Sequence, residues 1–190
     1  MRIAIDIDST LHHYWDTFAT VAKSRFGIEL PYENQRDWAI SVLKPEQVKA
    51  IVRETHSDAN VTSAVPYPNA VEVVNKWSAE GHWIHITSHR SDDARESTLE
   101  WLSAIGLSYD DLHCSFDKIP RCVELEIEVL IDDSPVNILR AIEEGIIPAT
   151  LEHPWNEDVC SSEAVLVSAD WNGLAAVLEP ALAGEPVVGR

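Results

Sequence analysis

Two aspartates one residue apart, Asp6 and Asp8, follow a short β-branched run at residues 3–5, with Ser9 and Thr10 directly after them. A second acidic pair, Asp132 and Asp133, follows the apolar run 127–131; Thr87 and Ser88 follow 82–86, and Lys118 follows 112–115. Each feature has an ordinary use on its own: Asp and Ser cap turns, Thr and Ser cap helices, and lysines are solvated. Together they place acid, hydroxyl, cation and acid after four successive strand-like runs, and open α/β sheets bind ligands beyond the carboxyl ends of their strands. Four neighbouring carboxylates repel one another unless a cation sits among them, and a hard divalent ion with oxygen ligands, Mg²⁺ above all, meets that need. Lys118 stands just before Pro120 at the start of a helix, where the macrodipole disfavours a cation, so an anion is expected beside it.

The elements that must position these residues follow from periodicity. Leu11, Trp15, Phe18, Ala22 and Phe26 recur at helical spacing until Gly27 stops the pattern. Pro45 opens a second helix at 45–56. The spacing then predicts helix 69–79 closed by Gly81, strand 82–87, helix 92–105 with Ser91 as its cap and Gly106 past its end, strand 112–115, and a helix from Pro120. Strand 127–131, helix 135–144, strand 147–151, a weaker strand at 164–167 and helix 171–178 complete the series, with a mobile tail from Pro180. Such alternation means an α/β, Rossmann-like parallel sheet with helices on both faces. The expected organisation is one domain over 1–180, with core 1–13 and 66–180, a small helical cap inserted after the first strand at 14–65, and tail 181–190.

At 190 residues, with 45% hydrophobic and 24% charged residues, the chain has an ordinary globular composition. Fourteen Lys and Arg against 32 Asp and Glu give a net charge of −18, which repels duplex nucleic acid and anionic membrane surfaces. No apolar run approaches a membrane span, and three cysteines without a CxxC pair suggest reduced thiols in a soluble, cytoplasmic chain. The histidines show no zinc-site spacing.

Asp6-Ile7-Asp8-Ser9-Thr10, Thr87, Lys118 and Asp132-Asp133, in that order, resemble the four motifs of the haloacid dehalogenase superfamily. A receiver domain uses similar residues, but its phosphoacceptor lies mid-chain and its lysine comes last. The resemblance implies a phosphatase with Asp6 as nucleophile, Asp8 as general acid and base, Lys118 as a catalytic and phosphate-binding cation, and Thr87 and Ser88 gripping phosphate. It implies Mg²⁺ held among Asp6, Asp8 through its backbone carbonyl, and Asp133, the direct ligand of the pair, with Asp132 behind it. Family motifs of the form GDxxxD align with Asp133 and Asn137, where Asn departs from the pattern; Ser9 likewise stands where Gly is common.

A narrower resemblance, to the 5′(3′)-deoxyribonucleotidase-like branch, rests on residues 131–137, Ile86-Thr87-Ser88, Phe116-Asp117-Lys118 and His153-Pro154-Trp155-Asn156. It implies a small phosphorylated metabolite, a nucleoside monophosphate first, as substrate. Aromatic residues of the insertion could stack on a base; Trp15, Phe18 and Phe26 fit a cap core better, leaving Tyr32 and Trp38 as substrate contacts, with His89 and Arg90 beside them. The alternatives are a phosphatase for a sugar phosphate or other metabolite, and a catalytically silent binding module of the same fold.

Overall fold

The computed structural model describes residues 1–37, 40–115 and 117–185. Trp38 and residues 186–190 of the expected tail lie outside the described residues. Six parallel strands, β1 (Arg2–Asp6), β2 (Trp83–Ser88), β3 (Asp111–Cys114), β4 (Val129–Ile131), β5 (Ile147–Leu151) and β6 (Leu166–Ser168), form one sheet in the order β3-β2-β1-β4-β5-β6. Successive side chains of a strand point to opposite faces. Thus Ile3, Ile5, Ile84, Ile86, Val129 and Ile131 pack on one side with Trp77, Trp101 and Trp171. On the other, Ala4 and Leu130 pack with Ile119, Cys122 and Ala141. The helices responsible are α4 (Ala70–Ala79), α5 (Arg95–Ala104) and α9 (Trp171–Leu182) on the first face, and α6 (Ile119–Glu124) and α7 (Pro135–Glu143) on the second.

Between β1 and β2 the chain forms α1 (Tyr14–Phe26), α2 (Pro45–Thr55) and α3 (Asp58–Thr62). Gly27 ends α1 in the left-handed conformation, φ 69°, and its N–H returns to the Lys23 carbonyl. Trp15, Phe18, Val21 and Ala22 of α1 bury a separate apolar cluster with Leu43, Ile51 and, from the far end of the chain, Trp155. Val61 of α3 packs instead with the sheet's core, so this second cluster spans less than the expected insertion of 14–65.

Several boundaries differ from expectation. The helix expected over 92–105 begins as a 3₁₀ turn at Asp92–Ala94, and the Ser91 side chain makes no capping bond there. Glu126 turns left-handed, φ 52°, and the Ile127 N–H closes back on the Cys122 carbonyl, which delays β4 to Val129. The expected tail is helical through Leu182 despite Pro180, because Leu174, Leu178 and Ala181 keep helical spacing and are buried against the core. A short helix α8 (Glu157–Cys160) follows β5 where none was expected. Among the described residues no helix is long and apolar enough to cross a membrane.

Candidate active site

Register alone brings the motif residues together. Asp6 pairs with Thr87 across β1 and β2, and Ile5 pairs with Ile131 across β1 and β4, so Asp132 follows beside Asp6 at the carboxyl edge. The strand order reverses between β1 and β4, where doubly wound sheets open a crevice. Lys118, 1% exposed at the start of α6, donates from Nζ to Asp6 Oδ1 and to Asp132 Oδ2, the latter at 2.9 Å. The anion expected at that helix start is therefore this carboxylate pair. Burial opposes charge on Lys118, but Asp132 and Asp6 outweigh it and raise its pKa.

Both oxygens of Asp132 are fully engaged. Asn137 Nδ2 donates to each at 3.1 Å, and the Ser134 N–H donates to Oδ1 at 2.9 Å. Asp132, expected among the metal residues, thus accepts from Lys118, Asn137 and the Ser134 N–H. Asn137 is explained by the same contact, since an amide can donate where a third carboxylate would repel. Asn137→Asp is expected to cost about 1–3 kcal/mol of stability, measured by urea denaturation at neutral pH.

Asp8 stands in a clamp that the sequence did not disclose. Arg90 donates from Nη2 to Asp8 Oδ1 at 2.7 Å and from Nε to Oδ2 at 3.0 Å, and from Nη1 to Thr98 Oγ1 at 3.1 Å. His12 Nε2 lies 3.0 Å from Asp8 Oδ1 and His56 Nε2 3.7 Å from Oδ2. Burial would raise the Asp8 pKa, but Arg90, His12 and His56 together hold it well below the usual carboxylate range. Arg90, expected as a substrate contact, is 1% exposed and committed to Asp8. Ser88 Oγ lies 3.4 Å from Asp8 Oδ2 and accepts the Arg90 N–H, so its hydroxyl belongs to the same clamp. Ser9 adopts φ 64°, a conformation Gly takes without steric cost, and its carbonyl is tied to His153 Nε2 at 2.8 Å.

Asp133 accepts from Trp155 Nε1 at 2.9 Å on Oδ2. A cavity of about 290 Å³ is lined by Asp6, Asp8, Lys118 and Asp133 on the sheet side. Tyr14, Phe18, Val48, Val52 and His56 from the inserted helices form the opposite wall, and His89 and Ser134 complete it. Burial and Lys118 pull the His89 pKa down to about 4, which makes it neutral at pH 7. Thr87 Oγ1 is buried with no hydrogen-bond partner among the described residues, and Thr87 is not part of the cavity lining. Tyr32 does not line this cavity. Its hydroxyl meets His153 Nδ1 at 2.7 Å, in a larger groove of about 440 Å³ lined by Tyr32, His153, Pro154 and Asn156 and by none of Asp6, Asp8, Lys118 or Asp133.

The donor set fits a divalent cation. Asp6, Asp8, Asp132 and Asp133 carry four formal negative charges against two on Lys118 and Arg90, which leaves an excess of two in a buried site. Burial, then Asp132 and Asp8, push the Asp6 pKa up to about 7 against the pull of Lys118; burial and the neighbouring Asp6 and Asp132 likewise raise Asp133. Hydrogen bonds occupy Asp6 Oδ1 and Asp133 Oδ2, and the other oxygen of each has no partner among the described residues. Among the described residues no group of three or more His, Cys, Asp or Glu side chains is placed to hold a metal ion. Protons compete with a cation for carboxylates whose pKa is raised. The rise in Tm produced by Mg²⁺ is therefore expected to grow as pH climbs through about 7, as thermal unfolding with and without EDTA would read.

The family described as 5′ nucleotidase, deoxy (pyrimidine), cytosolic type C protein matches residues 1–175. The chain belongs to this nucleotidase family. Solved structures share the fold at low identity. A haloacid dehalogenase (HAD) family hydrolase from Deinococcus radiodurans, with bound phosphate and sodium, is 19% identical with a TM-score of 0.62, covering 96% of this chain and 95% of that one. A Haemophilus somnus protein described as a predicted phosphoglycolate phosphatase is 15% identical, with TM-score 0.65 and coverage of 94% and 96%. The D,D-heptose 1,7-bisphosphate phosphatase of B. bronchiseptica, complexed with magnesium and phosphate, is 11% identical, with TM-score 0.56 and coverage of 96% and 98%. Among curated proteins no sequence matches. The nucleotidase-family chain is thus a phosphatase of haloacid dehalogenase fold, as the motif order implied. Sequence reasoning missed Arg90 as the partner of Asp8, the flanking His12 and His56, and Trp155 against Asp133; only the short distance from motif to residue could have pointed to His12 and Arg90.

Proposed function

We propose that the protein hydrolyses phosphomonoesters, nucleoside monophosphates foremost, by transferring the phosphoryl group to Asp6. The observation that carries this reading is Lys118 held between Asp6 and Asp132, with Asp6, Asp8, Lys118 and Asp133 lining one cavity. A carboxylate oxygen of Asp6 attacks phosphorus as the ester P–O bond breaks, a protonated Asp8 gives its proton to the leaving alcohol oxygen, and Lys118 and Thr87 hold the equatorial oxygens. Mg²⁺, held by Asp6, Asp133 and the Asp8 carbonyl, would neutralise charge on the phosphoryl oxygens. Asp8 then takes a proton from the water that attacks the aspartyl phosphate, which releases inorganic phosphate and restores Asp6. Arg90, His12 and His56 favour ionised Asp8, the form that accepts the proton in this second step, and the proton gained there is the one given to the leaving oxygen of the next turnover.

The wall of Tyr14, Phe18, Val48 and Val52 supports a leaving group with an apolar face, such as a nucleoside, over a polyhydroxylated sugar. The same reading carries a cytoplasmic location, supported by the cytosolic family description and by three free cysteines. Its test is phosphate release from deoxy- and ribonucleoside monophosphates and sugar phosphates, with Mg²⁺ or EDTA. Release from nucleotides, lost in EDTA, is expected. Release from sugar phosphates alone would remove the nucleotidase assignment, and release undiminished by EDTA would remove the metal.

A further inference from the structure

Trp155, from beyond β5, belongs to the apolar cluster under the inserted helices and also donates to a motif carboxylate. Its ring stacks on His153 at 4.5 Å with an interplanar angle of 2°, meets Tyr32 edge-on at 5.6 Å and lies 5.8 Å from Trp15. The loop carrying it is pinned. Asn156 donates to the Leu151 carbonyl, Thr150 Oγ1 and the Asp133 carbonyl, and accepts the His153 N–H at 2.8 Å. His153 in turn donates from Nε2 to the Ser9 carbonyl, so its Nδ1 accepts from the Tyr32 hydroxyl. The indole N–H is therefore fixed in space from both sides, and it takes Oδ2 of Asp133, leaving Oδ1 as the lone pair source for a cation.

We propose that Trp155 is the positioning residue of the cation site: it fixes Asp133 for one-oxygen coordination and links cation binding to the packing of the inserted helices. The inference rests on Asp133 being a cation ligand. Groups that hydrogen-bond a ligating carboxylate typically set metal affinity by about 10–100-fold. Binding linkage is reciprocal, so a cation that orders Asp133 also stabilises the helices seated on the indole.

The test is Mg²⁺ titration by calorimetry of wild type, Trp155→Phe, Tyr32→Phe and Asp133→Asn. Trp155→Phe keeps a ring and loses the N–H; its Mg²⁺ affinity is expected to fall about 10–100-fold. Tyr32→Phe, which removes the hydroxyl that holds His153 under the indole but keeps the Trp155 N–H on Asp133, is expected to lower Mg²⁺ affinity less than Trp155→Phe does. Equal affinity in wild type and Trp155→Phe would overturn the inference while leaving the proposed function standing. Wild type that binds no Mg²⁺, like Asp133→Asn, would overturn both. Should Trp155→Phe fail to fold, the indole N–H resonance of Trp155 in wild type decides: it is expected to move on Mg²⁺ addition, and a resonance that stays fixed at saturation overturns the proposal.

Discussion

Asp6→Asn is expected to abolish phosphate release, by about 10⁴-fold or more, and at the same time to raise Tm. The first effect follows because an amide cannot serve as the nucleophile that Lys118 orients. The second follows from the cost of the carboxylate: burial, Asp132 and Asp8 push its pKa up to about 7, so its ionised form is disfavoured in the folded state. A raised carboxylate pKa means the folded protein binds more protons than the unfolded chain between about pH 4 and 7. Wild type thus loses stability as pH rises through that window, and Asp6→Asn does not. The gain in Tm should be small near pH 4, grow to about pH 7 and level off above it. Thermal unfolding across pH, beside single-turnover phosphate release, reads both; equal activity of the two proteins would remove Asp6 from the chemistry.

Arg90→Ala is expected to cost about 3–5 kcal/mol of stability. It leaves the Asp8 carboxylate buried without its two-point partner and removes the bond to Thr98. Arg90→Lys should recover only part, because an ammonium cannot span both oxygens and Thr98 as the planar guanidinium does. The pH dependence has a definite sign. The Asp8 pKa is depressed in the folded protein, so the stabilisation is present above the unfolded value, near 4, and is lost as pH falls below it. Urea denaturation should find the deficit of Arg90→Ala constant between about pH 5 and 8 and shrinking in acid. A deficit under about 1 kcal/mol at neutral pH would mean that the pair is effectively solvated.

What the sequence disclosed was local. The β-branched run ending at Asp6 made a strand and a catalytic edge readable together, and Gly27 and Gly106 marked helix ends because a left-handed residue after apolar spacing has few other uses. Pairings between distant segments were not readable. Arg90 reaches Asp8 only because β1 and β2 are neighbours, and in sequence it reads as one more cation after a motif. Tyr32, in a polar stretch, looked like a substrate contact; the 3₁₀ turn at Tyr32–Asn34 aims it at His153 instead. Val48, Val52 and His56 became a cavity wall through the packing of α2 on α1, which no spacing within α2 reveals. Pro180 reads in sequence as a helix end, yet the burial of Leu178 and Ala181 on either side of it carries the helix past it.

The central place of β1 has a consequence for how the chain is made. Ile3 must find both Ile84 and Val129 before its hydrogen bonds on the two sides are complete. At ribosomal rates of about 5–20 residues per second, the second partner emerges on the order of ten seconds after the first strand. During that interval a run of Ile-Ala-Ile with two open edges is exposed on the nascent chain, and pairing across such separations is slow in its own right. Of the six strands, the one that carries Asp6 is therefore synthesised before the others and completes its pairing only after β4 has formed, which makes the site a late product of folding.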